Sequence, residues 1–121
     1  MNGVYIVIPT YNEEENIKTI IARIIQLSGG FQIIIVDDNS TDGTAEMVQA
    51  MGKIYGNIIV HRRPCKMGIG SAIRDGMRVA LSFQECKFIV TMDADFSHSP
   101  EDIPRLLAEA EEVDLVVDRQ R

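Results

Sequence analysis

Apolar and polar residues follow one another along the chain in blocks whose period switches back and forth. Val4 to Ile8 is a continuous apolar run closed by Pro9, the pattern of a strand buried on both faces. Asn12 then predicts a helix N-cap, with Glu15 three residues on to complete a capping box. Behind it Ile17, Ile20, Ile21, Ile24 and Ile25 recur at helical spacing and predict one apolar face. Ser28-Gly29-Gly30 stops that helix, and Gln32 to Val36 predicts a second buried strand.

The same order recurs downstream. Asp37 to Gly43 reads as a polar loop, followed by a shorter helix from about Thr44 to Met51 and a short strand, Ile58 to Val60. Ile69, Ala72, Ile73, Gly76, Met77 and Ala80 share one face of a third helix, and Phe88 to Met92 is a fourth strand. Ser99 predicts a cap with Pro100 at the favoured first position of a fourth helix, whose apolar face is Ile103, Leu106, Leu107 and Ala110. Pro104 argues for a later start to that helix. Leu115 to Val117 predicts the last strand.

Strands that are apolar throughout, alternating with helices, predict an α/β fold with a largely parallel sheet. There is no repeat, low-complexity tract or linker, so residues 1–121 read as a single domain. In such sheets ligands bind beyond the carboxyl ends of the strands. That rule selects three loops: Pro9 to Glu13, Asp37 to Asp42 and Asp93 to His98. These loops also hold the densest carboxylate clusters in the chain.

Composition narrows the partners. With 18 acidic against 12 basic residues the formal charge is -6, which argues against nucleic acid, whose binders are basic. It does not argue against a small anionic ligand, because a bound metal and local dipoles outweigh net charge. Cys65 and Cys86 have no metal-ligand spacing and read as free thiols, which points to a reducing, cytoplasmic setting. Met1 to Pro9 does not have the pattern of a signal peptide, and no apolar run reaches the ~20 residues that span a bilayer.

Each loop has a chemical reading beside a plainer one. Asp93-Ala94-Asp95 follows the fourth strand directly, and two carboxylates at a strand end suit one hard cation, Mg2+ or Mn2+, with water and phosphate oxygens completing its shell. The plainer reading is an acidic turn. Asp38 can accept a hydrogen bond from a base N–H or a ribose hydroxyl, while Asp42 or Ser40 caps the next helix. As an exposed loop residue, Asp38 should cost under about half a kcal/mol of stability when replaced. Pro9 to Glu13 offers a rigid turn, the Tyr11 ring for stacking and the Glu13 carboxylate, although helix capping explains the stretch as well. His61, Arg62, Arg63 and Lys66 form the basic cluster, either a pyrophosphate attractor or a solvated loop edge. The glycines after it do not complete G-x-G-x-x-G, which excludes an ordinary dinucleotide fingerprint.

Val7-Ile8-Pro9-Thr10-Tyr11-Asn12-Glu13, Ile35 to Thr44 and Met92 to Glu101, taken in order and at this spacing, resemble family 2 glycosyltransferases. The third stretch and Lys66-Met67-Gly68-Ile69-Gly70-Ser71-Ala72 are similar to dolichol-phosphate mannose synthases within that family. The resemblance implies a Rossmann-like GT-A nucleotide-sugar-binding fold, cut off here after the fifth strand. It implies that Pro9, Tyr11, Glu13, Val36 and Asp38 hold the nucleoside. Asp93, Ala94 and Asp95 would hold the diphosphate and its ion, and Asp93 and Asp95 would serve catalysis. Ser97 stands at a further metal position.

The implied reaction is inverting transfer of mannose from GDP-mannose, or of a sugar from a UDP-sugar, to a polyprenyl or dolichyl phosphate met at the membrane surface. Relatives continue with a Gly-Ser-Arg-Tyr-like turn and an acceptor-binding half. Here Asp118-Arg119-Gln120-Arg121 follows the last strand, with Arg119 and Arg121 as the arginines that could replace the turn's. The expectation is a donor half without its acceptor half, slow in transfer by itself and prone to form a homo-oligomer. Two readings compete: a non-catalytic nucleotide-binding module, and a receiver-type signalling domain, whose acidic pair should follow strand one rather than strand two.

Overall fold

A computed structural model describes residues 3–27, 30–95, 99–110 and 115–117. In chain order the elements are β1 (Val4–Thr10), α1 (Glu14–Ile25), β2 (Gln32–Asp37), α2 (Thr44–Tyr55), β3 (Ile58–Arg62) and α3 (Ile69–Leu81). β4 (Phe88–Thr91), a single 3-10 turn (Pro100–Asp102), α4 (Ile103–Ala110) and β5 (Leu115–Val117) complete them. The strands form one sheet in the order β3-β2-β1-β4-β5, and every pairing is parallel. The flavodoxin-like order of receiver-type domains is 2-1-3-4-5, so the receiver reading falls on topology.

Strand periodicity divides the core into two layers. On one face of the sheet Val4, Ile6 and Ile8 of β1 join Ile33, Ile35 and Val90, and α1, α2 and α4 cover them with Ile17, Ile20, Ile24, Val48, Ile103 and Leu107. On the other face Tyr5, Val7, Ile34, Val36 and Ile89 pack under α3 through Ala72 and Ala80. Each fully buried Ile or Val contributes roughly 1.5–3 kcal/mol by transfer from water. α3 lies unusually close to the sheet. A Cβ on Gly76 would stand 2.3 Å from Val7 Cγ1, so only glycine fits at that point of the helix.

From β1 the chain steps outward through β2 to β3, then returns through α3 to β4 on the opposite side of β1. β1 and β4 therefore form the switch point of the sheet. Their following loops diverge there and leave a crevice at the carboxyl edge, where open α/β sheets bind ligands.

Three local expectations are corrected. Helix α1 begins at Glu14 rather than behind an Asn12 cap, and no side chain caps it from the preceding residue. Asn12 has a φ of 53°, left-handed backbone that asparagine tolerates, and its side chain reaches the β2 loop instead. Helix α2 continues past Met51 to Tyr55 and ends at Gly56, whose left-handed backbone sends its N–H to Gly52 O at 2.8 Å. Gly52, inside the helix, marks a close approach, since a Cβ there would lie 3.3 Å from the Ile58 carbonyl. Ser99 caps nothing with its side chain. Its hydroxyl donates to Glu101 and accepts from Arg23 of α1. The α-helical run starts at Ile103, as Pro104 predicts, because a first-turn N–H has no intrahelical partner to lose.

Candidate active site

The loops after β1 and β2 hold each other in place. Asn12 Oδ1 accepts from the N–H groups of Thr41 at 2.8 Å and Asp42 at 3.3 Å. In return Ser40 Oγ accepts from Asn12 N at 2.8 Å, and Thr44 Oγ1 accepts from Glu13 N at 3.0 Å. The helix starts exchange carboxylates too: Glu14 Oε1 takes Gly43 N at 3.1 Å, and Asp42 Oδ2 takes Glu14 N at 3.3 Å. Asp42 also accepts from Thr44 N at 2.9 Å, the first N–H of α2, but the cap position itself is Gly43, so neither Asp42 nor Ser40 is the cap that the sequence predicts. Beneath lies Asp37, 0% exposed, accepting from Thr10 Oγ1, Ser40 N and Ser40 Oγ at 2.8, 2.9 and 2.6 Å. None of this cross-strand bonding follows from helical or strand periodicity.

Above this scaffold, at the β1–β4 switch point, is a cleft of about 210 Å³. Pro9, Thr10, Tyr11 and Glu13 line one side of it, Asp93, Ala94 and Asp95 another. Asp38, Lys66, Gly68, Ile69 and Ala72 complete the wall. Sites that enclose a drug-sized ligand run to about 300–1,000 Å³, so this cleft has room for part of such a ligand, with the rest extending outward.

Asp38 is not the exposed loop residue that the sequence predicts. It is 5% exposed and makes a two-pronged ion pair with Arg63, Nε to Oδ1 at 2.6 Å and NH2 to Oδ2 at 2.9 Å. Met67 N adds a bond to Oδ2 at 3.2 Å. Burial acts to raise the Asp38 carboxyl, but the bonds from Arg63 and Met67 outweigh it and hold the group below its ordinary value. Arg63, 4% exposed, also donates through NH1 to Ser71 Oγ at 2.6 Å and Asp75 Oδ2 at 3.0 Å, and through NH2 to Gly68 O at 3.2 Å. One buried guanidinium thus joins β2, the β3–α3 loop and α3.

The basic cluster is therefore not one feature. Arg63 is consumed inside the wall, and Arg62 pairs with Glu46 across 3.5 Å on the surface. Lys66 reaches the cleft, its ammonium 4.5 Å from the centre of the Tyr11 ring.

On the opposite side Asp93 is half-buried, Ala94 buried and Asp95 exposed. Burial pushes the Glu13 carboxyl up; a hydrogen bond from Asn16 opposes it, and the negative charges of Asp95 and Asp42 add to it. Among the described residues no group of three or more His, Cys, Asp or Glu side chains has the arrangement of a metal site. Two carboxylates, however, are what a Mg2+ or Mn2+ site commonly draws from the protein when phosphate oxygens and water supply the rest. The oxygen-only donor set of Asp93 and Asp95 fits such an ion.

Seven of the positions singled out in the sequence, Pro9, Tyr11, Glu13, Asp38, Asp93, Ala94 and Asp95, meet on this cleft. Val36 does not line it. Its side chain is fully buried under α3, so Val36 can reach a ligand only through its backbone. Ser97, Arg119 and Arg121 lie outside the described residues. Sequence reasoning missed Arg63, Ser71 and Asp75 as wall-forming partners, for their contacts span loops of no fixed geometry.

The Glycosyl transferase family 2 model matches residues 5–121. An undecaprenyl-phosphate 4-deoxy-4-formamido-L-arabinose transferase of Proteus mirabilis is 39% identical over 130 residues, covering 100% of this chain and 38% of its own length. An undecaprenyl-phosphate mannosyltransferase of Micrococcus luteus is 36% identical over 115 residues, covering 95% of this chain and 47% of its own. The chain thus spans less than half the length of either relative. Among solved structures, glucosyl-3-phosphoglycerate synthase from Mycobacterium tuberculosis, in complex with Mn2+, UDP and glucosyl-3-phosphoglycerate, superposes with a TM-score of 0.66 at 26% identity. That match covers 88% of this chain and 39% of the other. The Rossmann-like sheet is that of the GT-A fold, and the chain belongs to glycosyl transferase family 2.

Proposed function

We propose that this chain binds the sugar donor for an inverting transfer from a nucleoside diphosphate sugar to a polyprenyl phosphate. The observation that carries the proposal is the convergence of the β1, β2 and β4 loops, with Tyr11, Glu13, Asp38, Asp93 and Asp95, on one cleft at the switch point. The names of the Proteus and Micrococcus relatives support the lipid-phosphate acceptor. GDP-mannose is the proposed donor, on the motif resemblance and the mannosyltransferase relative. A UDP-sugar is the second reading, favoured by the UDP of the mycobacterial structure. Such an acceptor would be met at a membrane surface, and the proposed setting is the cytoplasmic face.

The residues divide the work. Pro9, Tyr11, Glu13 and Asp38 would hold the nucleoside, Tyr11 by stacking and Asp38 through its carboxylate. Asp93 and Asp95 would hold Mg2+ or Mn2+, and the Mn2+ of the mycobacterial structure supports such an ion. A divalent ion there would offset the charge growing on the leaving diphosphate. The acceptor needs little help from a base. A phosphate monoester has a second pKa near ~6 and is largely a dianion at neutral pH. The work of the protein is to orient the donor so that the far face of its anomeric carbon meets that oxygen.

Calorimetry with GDP-mannose and UDP-sugars in Mn2+ reads the donor, and label transfer to polyprenyl phosphate reads the reaction. Saturable, metal-dependent binding of one donor is expected. Failure of both donors to bind contradicts the proposal, and sugar released to water alone removes the lipid acceptor from it.

A further inference from the structure

The cleft has a charge problem that one residue can relieve. Glu13, Asp38, Asp93 and Asp95 bring four carboxylates to its wall, and Lys66 is the one basic side chain among the described lining residues. A nucleoside diphosphate adds further negative charge. Asp38 is neutralised by Arg63, but Arg63 is also held by Asp75, Ser71 and the Gly68 carbonyl and has no reach to spare.

Lys66 is built differently. The loop is clamped on its carboxyl side, by Met67 N to Asp38 at 3.2 Å and by Gly68 O to Arg63 at 3.2 Å. The backbone is thereby fixed while the exposed four-carbon arm can turn. Its ammonium stands 4.5 Å from the Tyr11 ring centre, on a face where a nucleobase would stack. A cation–π contact at an exposed site is worth a factor of about two to five. A charge-assisted bond to a phosphate oxygen is worth about tenfold to a hundredfold. The exchange therefore runs toward the phosphate.

We infer that Lys66 is a donor-binding residue that leaves the Tyr11 ring when a nucleoside diphosphate enters and pairs with the diphosphate, uncovering the ring for the base. The inference rests on the donor-site reading above. The motif resemblance includes Lys66 without giving it a role, and the sequence otherwise reads it within a basic cluster, a pyrophosphate attractor or a solvated edge, that the structure takes apart.

The test compares charged and uncharged probes. In Mn2+, Lys66→Gln should weaken GDP and UDP binding about tenfold while leaving guanosine and uridine affinity unchanged or up to about fivefold higher, since the ring is then already clear of the ammonium, and Lys66→Arg should keep most of the diphosphate affinity. Lys66 is exposed, so the melting temperature of either variant should stay that of the parent. In NMR, the Lys66 Hε protons should lose the Tyr11 ring-current shift on adding GDP or UDP. Equal loss for nucleosides and diphosphates would show that Lys66 only holds Tyr11 or its loop, and overturns the inference. Unchanged affinity for all four probes, or an ammonium that stays on the ring, overturns it as well. A parent protein that binds neither GDP nor UDP overturns the donor-site reading first, an outcome visible before any variant is made.

Discussion

Strand β2 runs into Asp37 and Asp38, and strand β4 into Asp93 and Asp95, four carboxylates on the same edge of one sheet. In sequence the two pairs look alike. In the fold, Asp37 is fully buried among Thr10 and Ser40, and Asp38 is locked to Arg63. Asp93 is half-buried and Asp95 exposed, close enough to Glu13 to help raise its carboxyl. The β2 pair is spent mainly on structure, with Asp38 at the boundary, whereas the β4 pair faces the cleft. An acidic motif thus acquires its role from where the fold puts it, inside the scaffold or on the wall of the cleft.

Breaking the β2 pair should therefore cost stability first. Arg63→Met removes the partner of a buried carboxylate, a change that typically costs about 3–5 kcal/mol. It should show as a markedly lower urea midpoint. Asp37→Asn keeps the shape but turns one acceptor oxygen into a donor group facing Thr10 and Ser40, and should cost about 1–3 kcal/mol in the same assay. Asp38→Asn should fall near the Asp37 variant, well above the half kcal/mol of an exposed loop position. If all three unfold like the parent, the β2 pair is not the scaffold described here.

The acid side of the stability curve sharpens the same contrast. The folded Asp38 and Asp42 carboxyls lie below the ordinary value of 3.8: burial pushes both up, but bonds from Arg63 and Met67 N at Asp38, and from Thr44 and Glu14 N at Asp42, pull them further down. A depressed carboxyl stabilises fully above its unfolded pKa and loses that contribution as pH falls through the folded one. Urea midpoints should hold between pH 7 and 5 and decline below about 4. Asp38→Asn should flatten the decline. A curve that improves on acidification would contradict the sign.

At the other pair the ordering reverses. Asp95→Asn, at an exposed position, should change stability by no more than about half a kcal/mol, and Asp93→Asn, half-buried, by less than the β2 variants. Their effect should appear in ligand binding.

The chain made the sheet and most of the cleft legible because both depend on period and position. Val4–Ile8 and Ile33–Val36 are apolar throughout, which only a strand covered on both faces requires, and carboxylates directly after such strands fall at the ligand edge. What did not show was who bonds to whom across loops. Asn12 has the spacing of a cap, yet its side chain serves the β2 loop 29 residues away. Arg63 has the look of a solvated charge, yet Asp38 and Asp75, 25 and 12 residues distant, bury it. Gly52 and Gly76 carry no sequence signal of the close packing against Ile58 and Val7 that they record.

The central claim is that Asp93 and Asp95 bind a metal-held diphosphate in the cleft that Tyr11 and Asp38 share. Calorimetry of GDP-mannose and of UDP with the parent and with Asp95→Asn, each in Mn2+ and in chelator, tests it in four titrations per ligand. Groups that act through one shared ion are not additive. The account predicts that chelation weakens the parent at least about tenfold, that Asp95→Asn in Mn2+ loses as much, and that chelation then takes little more. Equal affinity with and without metal in the parent, or full metal dependence retained by Asp95→Asn, would contradict it.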